Sequence, residues 1–348
     1  MSNNFKSIKE EVTAIVCTSL AIILFMIIMP TTVITTETIK LNDNEKDKSV
    51  MSNVKTNNDI KFTGEEMVSV YITSKDIVEE INVEDYVCGV VANEMPAEFE
   101  EEALKAQAVA SRTYLASKAV NKCVNGHGAD ICDSIHCQVY TSKENSMDKW
   151  EEDKSEKYWE KIEEAVKATK GEVISYNGEL AMYPQFFATS SGRTENSEDI
   201  NWGNIPYLRS VLSEGEEVAP KYTSEKIISL SEFVNSVNIK YPEANVDLNN
   251  IENEISILSR SEAGSIKNLM VGNKELKGSE FRFLLGLNSA NFTYIIRDNE
   301  IVFNCKGYGH GVGMSQWGAN AMAKNNVSYD KIIKHYYTGV DISKLKFE

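Results

Sequence analysis

Apolar and polar side chains alternate through "MVSVYIT", with Val68, Val70 and Ile72 on one side, and this predicts a half-buried strand. After a turn at Ser74-Lys75-Asp76, "IVEEI" predicts a second, shorter strand. The period then lengthens. Val83, Val87, Val90 and Val91, with Tyr86 beside them, share one face of a helix running from Val83 to about Met95. Asn82 can cap its start, Glu84 and Asp85 suit the positive end of its dipole, and Pro96 turns Met95 out of helical geometry. A second helix starts near Glu98 and carries "EEEALKAQAVASRTYLASKAV"; a third, "KYWEKIEEAVKATKG", closes at Gly171. "EVISYNGELAMYPQFFATSSG" reads as two strands joined at Asn177-Gly178, a strong hairpin signal.

From about Pro220 the character changes. "SLSEFVNSVNIKY" predicts a helix, "EISILSR" and "IKNLMVG" predict strands, a turn falls at Gly272-Asn273, and a further helix follows Gly278-Ser279. Residues 220–300 are therefore expected to form a second, smaller α+β lobe. In the tail, "GYGHGVGMSQWGANAMAKNNVSYDKIIKHYYTG", a glycine-rich loop precedes two helices. Residues 62–219 and 301–348 together make the main α+β lobe.

The run "VTAIVCTSLAIILFMIIMPTTVI", Val12 to Ile34, carries no charge. At roughly 20 residues it is long enough to cross a bilayer as one helix. Lys6 and Lys9 precede it and the next basic residue is Lys40, so the positive-inside rule places residues 1–11 in the cytoplasm. No A-x-A pattern follows, which favours an uncleaved signal anchor at 12–34 over a cleaved signal peptide. Residues 35–61, polar and mixed in charge, read as a flexible tether. The expected class is thus α+β, a two-lobed extracytoplasmic domain preceded by one transmembrane helix.

Composition adds an exclusion. Of the 348 residues, 42% are hydrophobic and 25% charged, a globular balance, and the formal net charge is -16. A chain this acidic repels nucleic acid and anionic headgroups, so nucleic acid is not an expected partner.

Five glutamates, Glu94, Glu98, Glu100, Glu101 and Glu102, crowd around Met95-Pro96. Glu94 lies about 20° from Val83 and from Val87 on a helical wheel, on the apolar stripe where another valine would fit. A carboxyl on such a face is unfavourable unless protonated or paired, and burial raises its pKa toward that of a general acid working near neutrality. The alternatives are an ion pair with Arg112 or a hydrogen bond to nearby backbone. The other four fall at the start of the next helix, where solvated acids belong.

Of six cysteines, Cys17 lies in the apolar run, and Cys88 and Cys305 are isolated. "CVNGHGADICDSIHCQVY" brings Cys123, His127, Cys132, His136 and Cys137 close together, a spacing that suits tetrahedral zinc with one candidate to spare. A disulfide among the cysteines is the competing reading for an extracytoplasmic protein. Gly307, Gly309, Gly311 and Gly313 give a loop that lets a ligand approach closely. His310 and Gln316 suit hydrogen bonds to a ligand, with loop packing the alternative for His310. Tyr207, Trp202 and Trp317 suit either stacking or core.

"EDYVCGVVANEMPAEFEEEALKAQAVASRTYL", "FFATSSGRTENSEDINWGNIPYLRSV" and "GYGHGVGMSQWGANAMA" together resemble the stage II sporulation protein D (SpoIID/LytB) family of peptidoglycan lytic transglycosylases, from about Phe62 to the C-terminus. The resemblance implies a glycan cleft and makes Glu94, in the family's E-M-P-A motif, the catalytic acid. It implies that His127, Cys132, His136 and Cys137 bind a structural zinc, leaving Cys123 over. Ser190, Ser191, Thr194, Tyr207, His310 and Gln316 become the expected contacts to peptidoglycan glycan strands. It also implies stage II sporulation proteins P and M as partners, and the mother-cell membrane facing the forespore as the location, in engulfment. A glycan-binding scaffold that activates a partner amidase, and a zinc amidase, are the competing functions.

Overall fold

Asn82 ends one strand and starts a helix, and that junction sets the frame for everything around the site. A computed structural model describes residues 59–62 and 66–347. In chain order, the first strands are β1 (Asp59–Phe62), β2 (Met67–Ile72) and β3 (Ile77–Asn82), and β2 and β3 pair antiparallel as the alternation predicts. Helix α1 (Val83–Glu94) follows, and the Asn82 side chain accepts the Glu84 N–H at 2.9 Å. Helix α2 (Glu101–Val120) starts later than Glu98, because Pro96 to Phe99 form a tight turn and Asn320 holds the Glu100 N–H at 2.9 Å. Strand β4 (Ile131–Cys132) adds to β2 in parallel. Next come α3 (Lys143–Met147) and α4 (Glu152–Ala168). A hairpin of β5 (Glu172–Tyr176) and β6 (Glu179–Leu180) turns at Asn177 and Gly178, both at positive φ. Strand β7 (Phe186–Phe187) follows.

Residues 228–305 pack around their own apolar cluster, which includes Phe233, Phe281, Phe292 and Phe303. Its elements are β8 (Thr223–Ser229), α5 (Leu230–Lys240), β9 (Ile255–Arg260), β10 (Ile266–Val271), β11 (Lys274–Lys277), α6 (Gly278–Leu285), β12 (Phe292–Arg297) and β13 (Glu300–Lys306). Strand β13 pairs along its whole length with β8, so the expected boundary between 300 and 301 falls inside a strand. The tail supplies β14 (Met314–Ser315), α7 (Gln316–Lys324), α8 (Tyr329–Tyr336) and β15 (Val340–Phe347).

Strand β15 joins the two ends of the described chain. It pairs in parallel with β1 and antiparallel with β5. Asp59, Ile60 and Lys61 therefore belong to a sheet, although the sequence placed them in the tether. The expected transmembrane run at 12–34, and the rest of the tether, lie outside the described residues. Among the described residues no helix is long and apolar enough to cross a membrane.

Helix α2 runs through the larger cluster and is buried on nearly every side, its alanines letting α1, α4, α7 and α8 come close. Its buried Arg112 is held by Glu84, with Nε 3.0 Å from Oε1 and Nη2 2.5 Å from Oε2. Arg112 is therefore not the partner of Glu94.

Candidate functional site

Three stretches of chain that are far apart in sequence meet at Glu94. It is the last residue of α1, and Met95 beyond it is extended at φ -125°. Gly89, five residues earlier, has no room for a side chain: a Cβ would lie 2.4 Å from the Thr141 carbonyl oxygen. The segment 139–141 consequently lies flat on α1, and the Val139 N–H donates to Glu94 Oε1 at 3.3 Å. From the other side Gln316, the first residue of α7, donates Nε2 to Oε2 at 3.1 Å. The same nitrogen lies 3.4 Å from Gln107 Oε1, and Gln107 donates in turn to Ser111 at 3.0 Å.

Glu94 therefore ends the buried stripe of Tyr86, Val87, Val90 and Val91, itself half-buried. Burial pushes its pKa above the ordinary carboxylate value, and the two hydrogen bonds pull the other way. Both donors are neutral. The free carbonyls at the end of α1 add a partial negative charge beside it, which also favours the protonated form.

The remaining glutamates are surface acids at the start of α2. Glu98 accepts from Tyr158 at 2.8 Å, and Lys105 reaches Glu101 and Glu102 at 2.7 and 2.8 Å. The loop between is locked. Lys161 donates to the carbonyls of Ala97 and Phe99, and Phe99 meets Trp317 edge-on at 4.9 Å.

The cysteine cluster forms with one exchange of members. Cys123, Cys132, His136 and Cys137 place their ligand atoms within 4.8 Å of one another. His136 Nδ1 lies 3.3, 3.9 and 3.5 Å from the sulfurs of Cys123, Cys132 and Cys137, and Cys123 and Cys137 are 3.4 Å apart. Sulfurs and a nitrogen around one zinc ion are about 3.6–3.8 Å apart, so this donor set fits such an ion. Among the described residues no disulfide links the cysteines. His127, expected as a ligand, stands outside the cluster. It occupies the tip of a turn at φ 50°, is exposed, and stacks on Tyr71 at 4.3 Å. The turn doubles the chain back so that the Cys123 N–H reaches the Asp130 carbonyl at 2.9 Å, which carries Cys123 to the cluster instead. Two residues after Cys137 comes Val139, the backbone donor to Glu94.

The glycine loop serves the protein before any ligand. A Cβ on Gly313, at φ 80°, would lie 2.0 Å from the Gln185 carbonyl oxygen, so the loop presses directly on the 185–195 segment. His310 is fixed within it: Nε2 donates to the Phe186 carbonyl at 3.0 Å, and Nδ1 accepts the Val312 N–H at 3.1 Å. Burial, helped by the Arg282 charge, lowers its pKa to about 4, so the ring is neutral and has no nitrogen left for a sugar.

Of the other expected contacts, Ser190, Thr194 and Tyr207 are buried and bonded to the protein itself. Ser190 offers its N–H to Glu216 at 2.8 Å, Thr194 Oγ1 accepts the Val211 N–H at 2.9 Å, and the Tyr207 hydroxyl accepts the Tyr183 N–H at 2.9 Å. Ser191 is half-buried and donates to the Ala263 carbonyl at 3.2 Å. Only Gln316 reaches Glu94. Glu216, not anticipated from the sequence, is a buried acid that holds Ser190, Ser213 and Ser315 together. It sits in a polar stretch with no period to betray it.

A family model for a stage II sporulation protein (SpoIID) matches residues 71–176, the region that contains α1, Glu94 and the cysteine cluster. Stage II sporulation protein D of Bacillus amyloliquefaciens is 39% identical over 279 residues, covering 80% of this chain and 78% of that protein. Its counterpart from Bacillus subtilis (strain 168) is also 39% identical, over 80% and 79%. An amidase enhancer of the same strain is 27% identical over 73% of this chain but only 40% of its own length. The site thus lies in a sporulation-protein domain. The chain belongs to the stage II sporulation protein D family.

Proposed function

We propose that this protein cleaves peptidoglycan glycan strands as a lytic transglycosylase, with Glu94 as acid and then base. Protonated Glu94 donates to the glycosidic oxygen between N-acetylmuramic acid and N-acetylglucosamine, and the C1–O bond breaks through an oxocarbenium-like state. The carboxylate left behind takes the proton of the sugar's own C6 hydroxyl as that oxygen bonds to C1, closing a 1,6-anhydro ring. Glu94 ends the cycle protonated, and no water is consumed. One observation carries the reading: a half-buried carboxyl with its pKa raised by burial and held by two neutral donors, Val139 N–H and Gln316. Those donors stabilise the carboxylate midway through the cycle without fixing it there, as a cation would.

Cys123, Cys132, His136 and Cys137 would hold zinc through four protein ligands. Such an ion leaves no open position for metal-bound water, which argues against a zinc amidase and for a structural role behind Val139. Metal analysis of purified protein tests the ligand set: Cys123→Ser loses the metal, His127→Ala keeps it. Retention by Cys123→Ser would sink the assignment.

The reading includes an extracytoplasmic location on the mother-cell membrane, anchored by Val12–Ile34, with action in engulfment beside stage II sporulation proteins P and M. A glycan-binding scaffold that stimulates a separate amidase is the second reading, favoured by the likeness to the amidase enhancer. Incubation with peptide-free glycan strands separates the two. The first yields 1,6-anhydro ends that vanish in Glu94→Gln; the second yields none from either protein.

A further inference from the structure

We infer that the exposed indole of Trp202, seated against the ring of His310, is a stacking platform for a pyranose ring, a glycan subsite separate from the Glu94 carboxyl. The inference rests on the glycan reading above. Trp159 is buried, and Trp150 and Trp317 are half-buried against the main cluster, whereas Trp202 is 42% exposed.

The platform is rigidly built. The Trp202 backbone N–H donates to the Ser197 carbonyl at 3.0 Å. Ser197 is itself buried, giving its hydroxyl to Gly203 O at 2.7 Å and accepting the Ile205 N–H at 3.0 Å. Asn201, just before the indole, is held left-handed at φ 67°. The His310 ring lies 4.8 Å from the indole, tilted 53° to it, and both of its nitrogens are tied to backbone. An exposed aromatic side chain on a fixed turn, resting against a fixed ring, is preorganised for an apolar surface, and one side of a pyranose ring presents C–H groups of that kind.

The surroundings suit an uncharged ligand with hydroxyl and amide groups. Asn201 and Asn204, which precede and follow Trp202 closely in the chain, are exposed. Glu198 and Asp199, just before the indole in the chain, are already paired, with Arg209 at 2.5 Å and Lys267 at 2.6 Å. The ledge also shares its support with the acid. His310 donates to Phe186, Phe186 pairs with Met314, and Gln316 follows two residues later. Residues 310–316 thus brace the indole at one end and Glu94 at the other.

The test uses Glu94→Gln, so that strands bind without turnover, and peptide-free glycan strands as the probe. Bound strands should shield the exposed indole from acrylamide quenching. Trp202→Ala in the Glu94→Gln background should weaken strand binding about tenfold, and Trp202→Phe should retain most of it. With Glu94 intact, Trp202→Ala should raise KM by a similar factor and leave kcat within about twofold. Trp202→Leu, which still covers His310 but lacks a flat face, should lose binding like Ala and serves if the Ala variant does not fold. Unweakened binding by a folded Ala or Leu variant overturns the platform and leaves the Glu94 chemistry standing. Strand cleavage by Glu94→Gln would instead overturn the chemistry and leave the binding result intact.

Discussion

Glu94 and Glu216 contact neighbouring residues at the start of α7, and their surroundings invite comparison. Ser315 donates to Glu216 Oε2 at 2.6 Å, and Gln316, next along, donates to Glu94 Oε2 at 3.1 Å. Burial raises the pKa of both carboxyls, and the partners of both are hydroxyl, amide and backbone donors. The difference is access. Glu216 is 1% exposed and also receives Ser213 Oγ and the Ser190 N–H, with the Tyr336 hydroxyl 2.6 Å behind Ser213. Glu94 is half-buried and receives two donors, which leaves acceptor capacity unused on its open side. A raised pKa therefore does not mark a catalytic acid by itself. The sealed carboxyl braces the fold; the one with a vacant side can meet a substrate.

The largest effect should come from exchanging each acid for its amide. Glu94→Gln should lower strand cleavage by about a thousandfold, within the usual range for a positioned acid, with no loss of folding. Glu216→Gln should keep cleavage within a few-fold, because Ser213 can rotate its hydroxyl to accept from the new amide. Release of 1,6-anhydro ends measures both. A folded but inactive Glu216→Gln would mean that access to solvent does not separate the two acids.

Truncation should reverse the order. Glu216→Ala leaves the Ser190 N–H and two buried hydroxyls without their acceptor and should cost about 3 kcal/mol of stability. Gly318→Ala should act in the same direction, since its Cβ would fall 2.0 Å from the Tyr336 hydroxyl and 2.4 Å from Ser213 Oγ. Glu94→Ala, at a half-open site, should cost less than 1 kcal/mol. Urea unfolding of the three variants reads the contrast directly.

What sequence reasoning reached, and what it missed, follow from the range of the interactions. The α1 stripe, its Asn82 cap, the Asn177-Gly178 hairpin and the place of Glu94 are governed by neighbours within a few residues, and local pattern gives all of them. The parallel pairing of β1 with β15 joins opposite ends of the described chain and leaves no local signature. The choice of Cys123 over His127 depends on a positive φ at the turn tip, which spacing cannot supply. Glycines 307 to 313 were legible as a constraint but not as to its object. They admit the protein's own 185–195 segment, as the Gly313 contact with Gln185 makes plain. Tyr207 and Trp202 lie in one motif with equal claims to stack on sugar, and only burial divides them.

Smaller and finer is the pH dependence. Gln316 favours the charged form of Glu94, so Gln316→Ala should raise the Glu94 pKa further and move the alkaline fall in activity to higher pH. Losing one stabilising hydrogen bond to the carboxylate should also lower kcat about fivefold. Stability gives the companion test at Glu216. Its folded pKa is raised, so the unfolded chain releases this proton first as pH rises. The stabilisation is full below the ordinary value of 4.5 and is lost as pH climbs through the raised folded value. Glu216→Gln has no such proton, so its stability relative to the unaltered protein should improve as pH rises from 4.5 through the raised folded value and level off above it. A flat difference across that window would mean that the serine cage already holds Glu216 ionised. Burial would then have failed to separate it from an ordinary surface acid.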